Sequence, residues 1–227
     1  MPLDPARVQA IFFDIDGTLA DTDDAMVLKL ARMLKPVSLL FRERNPDPFA
    51  RWLAMAAESP ANFFFATTDR FGLDELAAPV VDWLHAVRGE GKPKHFLMIP
   101  GIMEMLDNLR SRYPLAVVTA RDQRGAEAFI RQYCLEPYFK AVVTARSCRR
   151  SKPHPMPVRT AAEALGVPVE ACLMVGDTTV DIRSGKSAGA QTVGVLCGFG
   201  THRELEARGA DQILETTASL HELLPGS

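Results

Sequence analysis

Short apolar runs recur along the chain, at Ala10–Phe13, Leu115–Thr119, Ala141–Thr144, Cys172–Val175, Thr192–Leu196 and Gln212–Leu214. Each is strand-length and almost uninterrupted by polar residues, the pattern of strands buried on both faces of a parallel sheet. Amphipathic stretches lie between them. Gly101–Arg112 carries Ile102, Met105, Leu106 and Leu109 on one face. Asp122–Tyr133 opens on a capping-type Asp and repeats Ala126, Phe129, Ile130 and Tyr133, and Val158–Leu165 continues the same period. Strands alternating with helices predict βαβ units, hence an α/β fold with a Rossmann-like doubly wound parallel sheet.

The interval between about Asp21 and Phe96 breaks that alternation. It holds helical patterns at Asp23–Leu34, Pro48–Glu58, Ala61–Arg70 and Asp74–Arg88, with no convincing strand. Asn45-Pro46-Asp47-Pro48 and Ser59-Pro60 read as boundaries, since proline ends helices and restrains the residue before it. Gly89-Glu90-Gly91-Lys92-Pro93 reads as an exit linker. The expected organisation is an α/β core of residues 1–20 and 97–227, with an inserted α-helical domain at 21–96. More than half of the Phe, Trp and Tyr residues fall between Phe41 and Phe96. The core of a small helical bundle accounts for them more simply than an aromatic-lined pocket.

Composition narrows the class. A net charge of −2 gives no electrostatic case for nucleic acid or an anionic membrane. Cys134, Cys148, Cys172 and Cys197 show no metal-like spacing, and Cys172 and Cys197 lie in or beside strand-like runs, so buried thiols are expected. The start, Met1-Pro2-Leu3-Asp4, lacks signal-peptide character, and no apolar stretch approaches membrane-spanning length. A cytoplasmic protein is the expectation, with monomer and homodimer both left open.

The chemistry concentrates at Asp14-Ile15-Asp16-Gly17-Thr18-Leu19. Two carboxylates follow the first strand, at the carboxyl end where open α/β sheets build their sites. Crowded carboxylates there call for a cation, and a hard divalent metal such as Mg²⁺ accepts carboxylates together with substrate phosphate oxygens. One Asp as nucleophile and the other as proton carrier would perform phosphoryl transfer.

This segment resembles the first motif of the haloacid dehalogenase-like superfamily, most closely its Mg²⁺-dependent phosphatases. Three further motifs follow in the same order. Leu115-Ala116-Val117-Val118-Thr119 is similar to the second, a strand ending in a hydroxyl. Lys152-Pro153-His154-Pro155 is similar to the third, a lysine before a helix. Leu173-Met174-Val175-Gly176-Asp177-Thr178-Thr179-Val180-Asp181 is similar to the fourth. The resemblance covers nearly the whole chain, and only the stretch between the first two motifs matches loosely. In this family that position holds a helical cap that closes over the site.

The resemblance implies a role for each motif residue. Asp14 is the nucleophile and a Mg²⁺ ligand, Asp16 the general acid and base that lends its backbone carbonyl to the metal, and Asp177 the second metal carboxylate. Asp181 acts one layer out, through water on the metal or through the lysine. Lys152 and Thr119 hold the transferring phosphoryl group, with Gly17 and Ala120 contributing to phosphate binding. Asp16 favours phosphatase over dehalogenase, because dehalogenases of the superfamily usually lack this carboxylate. Helix capping is the structural alternative for Asp177 and Asp181. Ala120 and Arg121 stand where many relatives carry Asn or another small polar residue, and Arg121 reads as solvated or as a contact for an anionic substrate. Arg146, Arg149 and Arg150 read as a solvated basic loop, and His154 as incidental. The implied activity is hydrolysis of a small-molecule phosphate monoester through an aspartyl phosphate, as in phosphoglycolate phosphatase-like enzymes. A β-phosphoglucomutase-like phosphomutase uses the same motifs. A catalytically silent binding module is the rival from another class, and the presence of Asp14, Asp16, Lys152, Asp177 and Asp181 argues against it.

Overall fold

In a computed structural model of the chain, described for residues 2–21 and 96–224, the apolar runs become six parallel strands. They are β1 (Ala10–Phe13), β2 (Leu115–Val118), β3 (Phe139–Val143), β4 (Cys172–Gly176), β5 (Gln191–Val195) and β6 (Gln212–Leu214), in the order β3-β2-β1-β4-β5-β6. The helices between them are α1 (Ile102–Arg110), α2 (Gln123–Gln132), α3 (Met156–Leu165), α4 (Thr179–Ala188), α5 (His202–Ala207) and α6 (Leu220–Leu223). The chain divides into two compact units, Met1–Thr22 with Pro93–Ser227 and, separately, Asp23–Lys92. The four helical patterns expected between Asp23 and Arg88 lie outside the described residues.

Burial explains why the apolar runs form strands. Every residue of β1, β2, β4 and β5 is buried. Successive side chains of a strand point to opposite faces. Ile11, Phe13, Leu115, Val117, Leu173 and Val175 therefore pack with α1, α2 and α6 on one face. Ala10, Phe12, Ala116, Val118, Cys172 and Met174 pack with α3 and α4 on the other. Ile102, Met105, Leu106 and Leu109 form the buried stripe of α1. Asp122 caps α2 by accepting a hydrogen bond from Gly125 N at 2.8 Å.

The differences from the sequence reading lie at element ends. Thr119 and Thr144 fall just past their strands, and β3 begins at Phe139, because Phe139 pairs with Leu115 of β2 before a register shift that leaves the exposed Lys140 unpaired and resumes at Ala141. Helix α3 starts at Met156, ahead of Val158, with prolines at its first turn, where a missing N–H costs nothing. Cys172 is fully buried as expected, whereas Cys197 is only partly so. All four cysteines are free thiols.

The winding direction reverses at β1, which has β2 on one side and β4 on the other. Such a reversal opens a crevice at the carboxyl ends of the two diverging strands. Asp14 follows β1 and Asp177 follows β4, so both carboxylates reach the crevice directly from rigid strands.

Candidate active site

Asp14, Lys152, Asp177 and Asp181 form a buried cluster at this crevice. Lys152 Nζ lies 3.0 Å from Asp14 Oδ1 and 2.6 Å from Asp181 Oδ1, and it donates to Val118 O at 3.0 Å. Beyond this 3.0 Å ion pair, the buried Asp14 Oδ1 has no further hydrogen-bond partner among the described residues. Asp181 has both oxygens committed. Oδ1 faces Lys152, and Oδ2 accepts from Thr178 N at 3.0 Å and Thr178 Oγ1 at 2.6 Å. The capping reading of Asp181 is therefore correct as far as it goes, because this residue closes a capping box with Thr178. The same carboxylate anchors the lysine.

Asp177 accepts from Phe199 N at 2.8 Å and, at a long 3.5 Å, from Thr18 Oγ1. Thr18 and Phe199 escaped the sequence reading. The visible signal for Phe199 was its setting in Gly198-Phe199-Gly200, just after β5. A Cβ at Gly198 would collide with the Asp177 carboxylate, and one at Gly200 with the Asp177 backbone oxygen. Gly17 is required for two reasons. Its φ is +70°, and a side chain there would strike Asp177.

Asp16 does not join this cluster. Its carboxylate is gripped by Arg121, with Nε donating to Oδ2 at 2.6 Å and the terminal nitrogen Nη2 donating to Oδ1. Arg121 is thus not simply a solvated side chain, since it is paired with Asp16. Thr119 is buried, still paired to β3 through its N–H to Val143 O, and its hydroxyl accepts from Arg121 N at 3.1 Å. Ala120 lies between these two at the end of β2. His154 proves structural. Its Nδ1 accepts from Met156 N at 3.1 Å at the start of α3, and its carbonyl accepts from Ser184 Oγ at 2.8 Å. Arg146, Arg149 and Arg150 are exposed on the loop leading to Lys152.

The electrostatics follow from crowding. Burial pushes the Asp14 carboxyl up to about 7, Lys152 pulls it back, and Asp181 and Asp16 add to the rise. Burial, with the charges of Asp181 and Asp14, holds Asp177 well above the usual carboxylate range. Burial by itself would lower the Lys152 pKa, but Asp14 and then Asp181 raise it, so the group stays an ammonium. One ammonium facing three carboxylates leaves the cluster short of positive charge.

A divalent cation fits that deficit. Asp14, Asp177 and Asp181 each offer an oxygen, and these atoms all lie within 4.8 Å of one another. An all-carboxylate donor set suits a hard ion such as Mg²⁺. Of the three, Asp14 has the unpartnered oxygen and Asp177 accepts two hydrogen bonds, whereas Asp181 already accepts three, one from Lys152 and two from Thr178.

A parallel sheet winding outward from β1, with acidic residues at the reversal point, is a doubly wound α/β fold with a charged site at its switch point. Residues 11–195 match the haloacid dehalogenase-like hydrolase family, to which this chain belongs. A protein of Dickeya dadantii named "Probable phosphatase IndB" is 29% identical over 91% of this chain and 89% of its own length. The pyrophosphatase PpaX of Bacillus velezensis is 28% identical over 94% of this chain and 95% of its own. A haloacid dehalogenase-like family hydrolase from Streptococcus pneumoniae shares the fold with a TM-score of 0.64. It is 22% identical over 97% of this chain and all of its own. Among the described residues, no helix is long and apolar enough to cross a membrane.

Proposed function

We propose that this chain is a Mg²⁺-dependent phosphatase, acting on a small-molecule phosphate monoester in the manner of phosphoglycolate phosphatase-like enzymes. One observation carries the reading. The buried Asp14 Oδ1 lies 3.0 Å from the Lys152 ammonium and has no further hydrogen-bond partner among the described residues. A carboxylate oxygen with a fixed cation as its one close partner is prepared to attack an electrophile that itself brings negative charge.

In the first step an Asp14 oxygen forms a bond to phosphorus while the ester P–O bond breaks, and Asp16, protonated on a lone pair that the Arg121 fork leaves open, gives that proton to the departing oxygen. In the second, Asp16 takes a proton from water as that water attacks the aspartyl phosphate, releasing phosphate and restoring Asp14. Lys152 offsets the charge on the phosphoryl oxygens, and the Thr119 hydroxyl with the backbone near Gly17 and Ala120 holds them. Asp14, Asp177 and the backbone carbonyl of Asp16 would hold Mg²⁺. When bound, the ion would supply the positive charge that the cluster lacks and offset negative charge on the phosphoryl oxygens. Asp181 acts through Lys152. The protein works in the cytoplasm.

The test is a panel of phosphate monoesters assayed for phosphate release with Mg²⁺ and with chelator. Release that requires Mg²⁺, is lost in Asp14→Asn and outpaces any sugar-phosphate isomerisation is the expected result. Full turnover in chelator would overturn the metal, and isomerisation without release would make the chain a phosphomutase.

A further inference from the structure

Asp16 stands apart from the buried cluster, with 31% of its side chain exposed. A carboxylate so placed can rotate freely, yet proton transfer to a leaving oxygen demands a fixed position, since small misplacements are costly in rate. Something must hold it. We propose that Arg121 is the positioning residue that aims the Asp16 carboxylate at the leaving oxygen. The proposal rests on the reading of Asp16 as proton carrier.

Arg121 is built for this. Its Nε and one terminal nitrogen engage the two Asp16 oxygens separately, a planar fork that fixes direction as well as distance. A lysine would supply only a point charge. The guanidinium is itself held. It lies over the Phe96 ring at 4.8 Å, and that ring packs edge-on against Phe129 at 5.7 Å. The Phe96 backbone is gripped in turn by Gln132, whose amide accepts from its N–H at 3.0 Å and donates to its carbonyl at 2.6 Å. Tyr133 Oη donates to the same carbonyl at 2.7 Å. At its other end Arg121 donates its backbone N–H to Thr119 Oγ1 and accepts from Ala145 N at 2.9 Å. Asp16 is thus referenced to α2 and to the ends of β2 and β3, through one side chain.

The experiment compares an unactivated alkyl leaving group with an activated aryl one: 2-phenylethyl phosphate against 4-nitrophenyl phosphate, with Mg²⁺ saturating, following first-turnover release of the alcohol. An activated phenol needs little protonation, so a fault in aiming Asp16 appears chiefly with the alkyl ester. Arg121→Gln should lower the alkyl rate at least about tenfold more than the aryl rate, a part of the ~10²–10⁴ that acid–base catalysis supplies. In an Asp16→Asn background the same change should alter both rates by less than about twofold, because the aimed group is gone. Phe96→Leu, which keeps the apolar bulk and removes the ring face, should give a smaller loss of the same leaving-group signature. Equal losses on both esters, or an undiminished Arg121→Gln effect in the Asp16→Asn background, would overturn the proposal. A loss that instead follows a second anionic group on the substrate would make Arg121 a binding residue and also overturn it. If Asp16→Asn itself shows no leaving-group dependence, the assignment of Asp16 as proton carrier falls, and the proposal with it.

Discussion

Lys152 Nζ lies 3.0 Å from Asp14 Oδ1, with 2% and 7% of the two side chains exposed. The lysine arrives on the loop after β3 and the aspartate on the end of β1, so the pair exists only once the sheet has formed. Removing the cation leaves Asp14 and Asp181 facing each other. Lys152→Met is therefore expected to lower kcat by about 10²–10³. Burial already pushes Asp14 up to about 7, and losing the lysine should push it further. Lys152→Arg should not rescue, because the slot between Val118 O, Asp14 and Asp181 fits a point donor. Steady-state kinetics of both variants check this.

Metal binding should be linked to protons. Asp14 and Asp177 carry raised pKa values without a cation, and a ligating carboxylate must be ionised. Calorimetry near pH 6, in buffers of different ionisation heat, should show proton release as Mg²⁺ binds. The affinity should rise with pH. For the metal-free protein the sign runs the other way. Between the unfolded carboxylate pKa, 3.8, and about 7, the native state holds more protons than the unfolded chain, so stability falls as pH rises through that window. Its melting temperature should be higher at pH 5 than at pH 8, and Mg²⁺ should restore most of the difference.

The two carboxylates of the first motif should fail in different ways. Asp14→Asn should abolish any covalent phospho-enzyme on rapid acid quench. Asp16→Asn should slow turnover while still allowing a phosphorylated enzyme to form from esters with good leaving groups. Retention of most wild-type activity in Asp14→Asn would remove it as nucleophile.

Gly17 and Gly166 provide a paired control. Both have positive φ, +70° and +67°, but a Cβ at Gly17 meets the Asp177 carboxylate whereas one at Gly166 meets nothing within 4 Å. Each Ala substitution should cost about 1–2 kcal/mol of stability from the left-handed backbone. Only Gly17→Ala should also weaken Mg²⁺ affinity and lower kcat. Thermal melts alongside kinetics separate the two effects.

The sequence determined the sheet and the addresses of the acidic residues. Ala10–Phe13 forms a strand with the expected bounds, because a strand buried on both faces has no polar residue to blur its pattern. Motif spacing put Asp14 and Asp177 at strand ends, since an apolar run followed at once by an acid has one place to bring it. Tertiary structure alone decided which side chains meet. Arg121 is separated from Asp16 by 105 positions and grips it because β2 lies beside β1. Phe199 reaches Asp177 because β5 lies beside β4. Asp181, which the sequence reads as a cap or as acting through metal-bound water or the lysine, both closes a cap with Thr178 and pairs with Lys152, because its two oxygens point to different neighbours. Local pattern encodes burial, which is a property of each residue. Pairing depends on strand order, which is set by the whole chain packing at once.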